Sequence, residues 1–227
     1  FKISRKNFFR IKKYYQLFWN LIYKLSTFQE DQKNDKKIIL FDFNLITHKS
    51  ILEYLSNSEF GLLLYNSRRP LIWNKLSLNI SKKLNFKKLT VKDNFDEIHP
   101  NLKNIMNSFK ELEKKNDFLS KTFSINNISF WSIYKNDFLE FCTNRFSEIL
   151  FFIDSFNSIL DKENIELLLT LDDSQSIERT AILICKQRKI PTIFSLTTNL
   201  NIFNDGKRTW KIFMIDKIFA DKFAISG

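Results

Sequence analysis

Glycine and proline are scarce: the 227 residues hold three of each. Gly61, Gly206 and Gly227 lie too far apart to build a glycine-rich phosphate loop. The Gly-x-Gly-x-x-Gly, Walker and Gly-x-Ser-x-Gly signatures are therefore all absent. A self-contained nucleotide-using enzyme needs some phosphate cradle, and the chain shows none. Cysteine and histidine are equally thin, at two each. Cys142, Cys185, His48 and His99 form no cluster, which excludes a disulfide framework and a structural zinc site. Both thiols sit inside apolar helical patterns and are expected buried and free, as suits a reducing cytosol. No run of 18 apolar residues occurs, so no segment reads as a membrane-spanning helix. An initiator methionine is also missing and the last residues break off in mid-pattern, so both ends read as cuts in a longer chain.

What is present is apolar and basic. Hydrophobic residues make up 44%, enough for a sizeable core and too much for global disorder. The formal net charge is +11, from 36 basic and 25 acidic residues. Such an excess suits nucleic acid or an anionic membrane. Most of it is lysine, alongside abundant Phe, Asn and Ile, and these residues share A/T-rich codons. Genome composition accounts for the charge on that basis, and no specific nucleic-acid partner is expected.

Along the chain, residues 2–25 carry Lys2, Arg5, Lys6, Arg10, Lys12, Lys13 and Lys24 and no acid. Phe8, Ile11, Tyr15, Phe18, Ile22 and Leu25 recur at spacings of three and four, which predicts an amphipathic helix. Its aromatic face would cover either its own domain or, as a peripheral contact, the surface of a membrane. A polar linker follows, so residues 1–35 divide from a domain at 36–227. Short apolar runs at 38–41, 60–65, 165–171 and 190–196 are entered from charge and left through turn residues, as buried parallel strands are. Helices are expected at Lys49–Ser56, over Leu71–Leu84, Leu102–Thr122 and Phe130–Leu160, and from Gln175 to Arg188. Asp172, Asp173 and Ser174 would cap the last, and Glu178 would complete a capping box with Gln175 or pair with an arginine. Phe86–Val91 and Trp210–Ile215 suit short strands, Asp216–Phe223 a turn or helix, and Ala224 opens a final strand. Two strand–helix–strand units with right-handed crossovers give an α/β, Rossmann-like open parallel sheet with helices on both faces. A helix-rich insertion occupies its middle.

In an open parallel sheet, ligands bind outside the carboxyl ends of the strands. That edge should carry Asp42, Asn44, Thr47 and His48 after the first strand, and Asn66, Arg68 and Arg69 after the second. Asp172 and Asp173 follow the strand at 165–171; Ser195, Thr197, Thr198 and Asn199 end or follow the one at 190–196. Two adjacent guanidiniums suit a phosphate or carboxylate. His48 or Asp173 could take a proton from an attacking hydroxyl. Asn44, Asn66, Thr197 and Thr198 supply hydrogen bonds to substrate. Each set also has a plainer role, as helix cap or solvated turn. No metal-ligating set is present.

Asn66–Asn74, Asp173-x-x-x-x-Glu178-Arg179-x-Ala181 with Arg188–Ile193, and Ala220–Gly227 resemble segments in the N-terminal halves of prokaryotic surface-polysaccharide glycosyltransferases. The likeness spans residues 37–227. It implies the GT-B fold, in which two Rossmann-like domains face each other across a cleft. The first domain mainly takes a glycan or lipid-linked acceptor and the second holds the nucleotide-sugar. No cofactor is then expected in this chain, the donor belongs to a missing C-terminal domain, and the fragment alone is not expected to be active. The location implied is cytoplasmic, at the inner face of the membrane. One feature departs from that family: its members commonly follow the Ile-Pro-Thr strand with a Gln-His-Gly turn, and here Phe194–Thr198 stands instead. If that histidine matters to activity, this copy is altered. The alternatives are a nucleotide-sugar 2-epimerase-like domain, a non-catalytic binding or scaffold domain, and a basic RNA-associated protein.

Overall fold

The computed structural model describes residues 11, 14–15, 17–19, 21–23, 35–66, 70–84, 86–89, 99–114, 118–171, 175–196 and 219–225. The chain divides into two compact units, one of residues 1–90 and 160–227 and one of residues 91–159.

The first unit is built on a six-stranded, wholly parallel sheet in the order β3-β2-β1-β6-β7-β8. Its strands are β1 (Lys37–Phe41), β2 (Gly61–Tyr65), β3 (Phe86–Lys88), β6 (Ile165–Thr170), β7 (Thr192–Leu196) and β8 (Lys222–Ile225). The four apolar runs of the sequence are thus adjacent parallel strands, β2, β1, β6 and β7. In register, Ile38 lies beside Leu62 and Leu167, and Leu40 beside Leu64 and Leu169. Alternate residues of a strand face opposite sides of a sheet. One side, with Ile38, Leu40, Leu62, Leu64 and Leu169, shares a core with Leu52 of α2 (Lys49–Ser56) and Ile80 of α3 (Lys75–Lys83). The opposite side carries Ile39, Phe41, Leu63 and Leu168, each fully buried. Burial on both faces is why these strands are unbroken apolar runs. Each such side chain contributes roughly 2 kcal/mol. Helix α7 (Ser176–Gln187) packs on β6 and β7 through a buried stripe that includes Ile177, Ala181 and Cys185.

The described residues between 11 and 23 are all helical (α1). Tyr23 is buried and stacks on Phe86, Trp19 packs against the core, and the Tyr15 hydroxyl donates to the carbonyl of Trp73. One side of this helix therefore packs on its own domain.

The second unit holds α4 (Leu102–Lys114), α5 (Phe118–Thr122), the two-stranded hairpin β4 (Ser124–Ile125) and β5 (Ile128–Ser129), and most of α6 (Trp131–Lys162). Phe123, Trp131 and Phe138 form its aromatic centre, with ring centroids 5.2–5.6 Å apart. Buried His99 ties the entry of α4 to α6. Its Nε2 lies 2.8 Å from Asp154, its amide donates to Ser147, and its Nδ1 accepts from the Asn101 amide.

Several sequence expectations need correction. The first helix after β2 starts at Lys75 rather than Leu71, because Asn74 and Ser77 form a capping box there. Within Leu102–Thr122 the described helical stretches are Leu102–Lys114 and Phe118–Thr122. Lys222 and Phe223 belong to β8, not to a turn or helix: Asp221 clips to Thr192 and starts the strand there. Gln175 occupies the N-cap of α7 with an extended backbone and makes no side-chain cap, so it forms no capping box with Glu178. The proposed caps Asp172–Ser174 and the strand at Trp210–Ile215 lie outside the described residues.

Candidate functional site

Numbered along the sheet, the strand order reverses direction between β1 and β6, so the topological switch point is the crevice outside their carboxyl ends. The loop after β1 and the start of α7 after β6 border it. This selects one stretch of an edge that sequence alone marks only as a whole.

The loop after β1 is closely built. Asp42 leaves the strand at φ 62°, a left-handed conformation that bends the chain sharply, and its amide donates to the Tyr65 carbonyl at 2.7 Å. Asn44 Oδ1 then accepts the amides of Ile46 and Thr47, at 2.8 and 3.2 Å. This Asx turn winds the chain into α2 without glycine. The Asn44 amide donates to Nδ1 of His48 at 2.9 Å, and the imidazole packs edge-on against Phe43. From the neighbouring strand end, Asn66 Nδ2 donates to the Phe43 carbonyl at 2.9 Å and clasps the loop. Asn44, His48 and Asn66 are thus brought together. Thr47 is exposed beside them.

His48 is half-buried, and burial holds its pKa below the ordinary 6.5. The ring is neutral at pH 7. With Nδ1 accepting the Asn44 amide, its proton resides on Nε2. In this geometry Nε2 is a hydrogen-bond donor. Accepting a substrate proton there would require the other tautomer and the loss of the Asn44 bond.

Among the described residues, three buried side-chain polar atoms have no hydrogen-bond partner, and two of them stand on this edge. Asn66 Oδ1 follows β2, and Ser176 Oγ opens α7 after β6. An unsatisfied buried polar atom costs about 1–3 kcal/mol, so a ligand or water group that meets it is stabilised in proportion. Ser176 was missed in sequence because the polar run Asp172–Ser176 offers several caps, and only the observed helix start separates them. Glu178, in the first turn of α7, is also buried.

Arg68, Arg69, Asp172, Asp173, Thr197 and Thr198 lie outside the described residues. The strands they follow are β2, β6 and β7, all parallel to β1. Ser195 is buried within β7. Among the described residues no group of three His, Cys, Asp or Glu could hold a metal ion, and no helix is long and apolar enough to cross a membrane. Cys142 and Cys185 are buried free thiols; burial pushes Cys185 up to about 12, which leaves it unreactive. Comparison of the chain with protein-family models, curated proteins and solved structures gives no match.

Proposed function

We propose that this chain is the acceptor-binding half of a GT-B-type glycosyltransferase. It would take a cell-surface glycan or lipid-linked acceptor at the cytoplasmic face of a membrane, while a second domain supplies the nucleotide-sugar. The observation that carries this reading is the pair of unsatisfied polar atoms, Asn66 Oδ1 and Ser176 Oγ, on the edge that holds the switch point. An acceptor rich in hydroxyls can donate to the first and exchange a hydrogen bond with the second. Neither atom asks for a charged or apolar ligand.

On this reading Asp173 takes the proton from the attacking hydroxyl. The acceptor oxygen bonds to the anomeric carbon as the bond from that carbon to the nucleotide phosphate breaks. His48 donates through Nε2 and orients the acceptor, and Asn44 fixes that tautomer. Arg68 and Arg69 hold an anionic acceptor group or the donor phosphate, and Thr197 and Thr198 hydrogen-bond the acceptor from the β7 side.

The test is sugar transfer by this chain joined to its donor-binding domain, with Asp173→Asn, His48→Asn and Arg68→Ala measured singly beside thermal stability. Asparagine at 48 keeps an acceptor where Nδ1 stands and removes Nε2. The expected result is a loss of at least about 100-fold for Asp173→Asn and about 10-fold for His48→Asn at unchanged melting temperature. Normal transfer by all three variants would overturn the proposal.

A further inference from the structure

The sequence posed the N-terminal aromatic helix as covering either its own domain or a membrane. The structure divides the helix between two faces. Tyr15, Trp19 and Tyr23 engage the first unit, through the Trp73 carbonyl, the core and Phe86. Ile11, Tyr14, Leu17, Phe18 and Leu21 are each more than half exposed. Ile11, Tyr14, Phe18 and Leu21 follow one another at spacings of three, four and three, so they form one stripe along a helix already anchored by its other side. Three turns of outward-facing aromatic and aliphatic side chains exceed the scattered apolar exposure of ordinary surfaces.

We propose that this outward stripe is a docking face for an anionic lipid bilayer. The charge of the segment selects that occupant. Residues 2–25 hold seven basic side chains and no acid, within a chain of net charge +11. A second copy of the chain would bring the same excess of positive charge against itself. Nucleic acid would match the charge, yet it offers little to aliphatic Ile11, Leu17 and Leu21. An interfacial bilayer zone matches both features: apolar side chains enter the acyl boundary and lysines and arginines meet the headgroup phosphates. Because the inner face is already spent on the domain, docking needs no unfolding or release of the helix. Binding would fall with ionic strength, as screening of exposed charge requires.

The experiment is co-sedimentation of the full chain with vesicles of phosphatidylglycerol and phosphatidylcholine, and with phosphatidylcholine alone. The triple variant Tyr14→Ser, Phe18→Ser, Leu21→Ser is compared with wild type. All three side chains project outward, so the melting temperature should hold. Wild type should bind the anionic vesicles at least tenfold more tightly than the neutral ones, and the triple variant should lose at least tenfold on the anionic ones. Equal binding by variant and wild type, or no wild-type binding, would overturn the proposal. So would finding that the stripe instead drives dimer formation or RNA binding that the variant loses. A Phe18→Cys variant carrying an environment-sensitive fluorophore gives a check that does not depend on the triple variant folding. A blue shift on anionic vesicles supports the proposal, and an unchanged spectrum overturns it.

Discussion

Lys189 stands at φ 59° just past the end of α7, where a left-handed residue usually means glycine. The hydrogen bonds around it define a Schellman motif. The Ile190 amide donates to Cys185 and the Lys189 amide to Lys186, at 2.8 and 3.0 Å. A chain with three glycines meets such positions with other residues. Among the described residues, Asp42, Asn126, Asn127 and Lys189 have positive φ and no glycine does. Asp and Asn tolerate that region through local hydrogen bonds, and lysine has no such help. Lys189→Gly is therefore expected to raise the unfolding free energy by about 1 kcal/mol. Urea unfolding followed by circular dichroism reads this as a higher midpoint at unchanged slope. An unchanged or lower midpoint would show that the left-handed cap carries no strain. The same economy shaped the loop after β1, where Asp42 and the Asn44 turn accomplish a reversal that sequence inspection would assign to glycine.

At the scale of elements, a carboxylate holds the amino edge of the sheet together. Glu163, between α6 and β6, accepts from Lys37 of β1 and from Lys87 of β3, the latter at 2.8 Å. Its side chain and that of Lys37 are 13% and 16% exposed, so the pair is sheltered from solvent, while Lys87 at 43% adds less. Burial would raise the Glu163 carboxyl, but the hydrogen bonds and charges of the two lysines outweigh it and hold it below the usual carboxylate value. A depressed folded pKa means stability that is full above the unfolded value near 4.5 and lost as pH falls through the folded one. Glu163→Gln should lower stability at pH 7 by about 2 kcal/mol, since it leaves Lys37 without its countercharge. The difference from wild type should shrink below about pH 4, as the wild-type carboxyl itself becomes neutral. Denaturant unfolding at pH 7 and pH 3 measures both, and an equal difference at the two pH values would refute the assignment.

Elements differed in how far the sequence revealed them. The four central strands were legible because burial on both faces leaves an apolar run bounded by charge. Helix α6 was legible because 32 residues allow many repeats of the three-and-four spacing. The hairpin Ser124–Ser129 was not, since two-residue strands are too short to show alternation. The pair Asn126–Asn127, at φ 51° and 62°, is the one local signal for its turn. The start of α7, expected at Gln175, falls at Ser176 with Gln175 as N-cap, while the capping residues expected before it, Asp172–Ser174, lie outside the described residues.

For the whole molecule, parallel strands place every loop that follows them on one edge, and the order β3-β2-β1-β6-β7-β8 places the switch point on that edge between β1 and β6. Sequence reached the edge through strand direction. It could not reach the clasp of Asn66 on Phe43, the tautomer that Asn44 imposes on His48, or the orphaned Ser176 hydroxyl, because these depend on which side chains meet across the sheet. The proposed function requires a hydroxyl-rich acceptor in this crevice. Photo-crosslinking tests it most directly. A polyprenyl-phosphate-linked sugar bearing a diazirine is irradiated with the protein, and the labelled peptides are mapped by mass spectrometry. Label is expected in the segments 42–48 and 171–178, reduced by competing unlabelled acceptor. Label confined to the amino edge around Lys37, Lys87 and Glu163 or to residues 91–159, or no competable label at all, would contradict it.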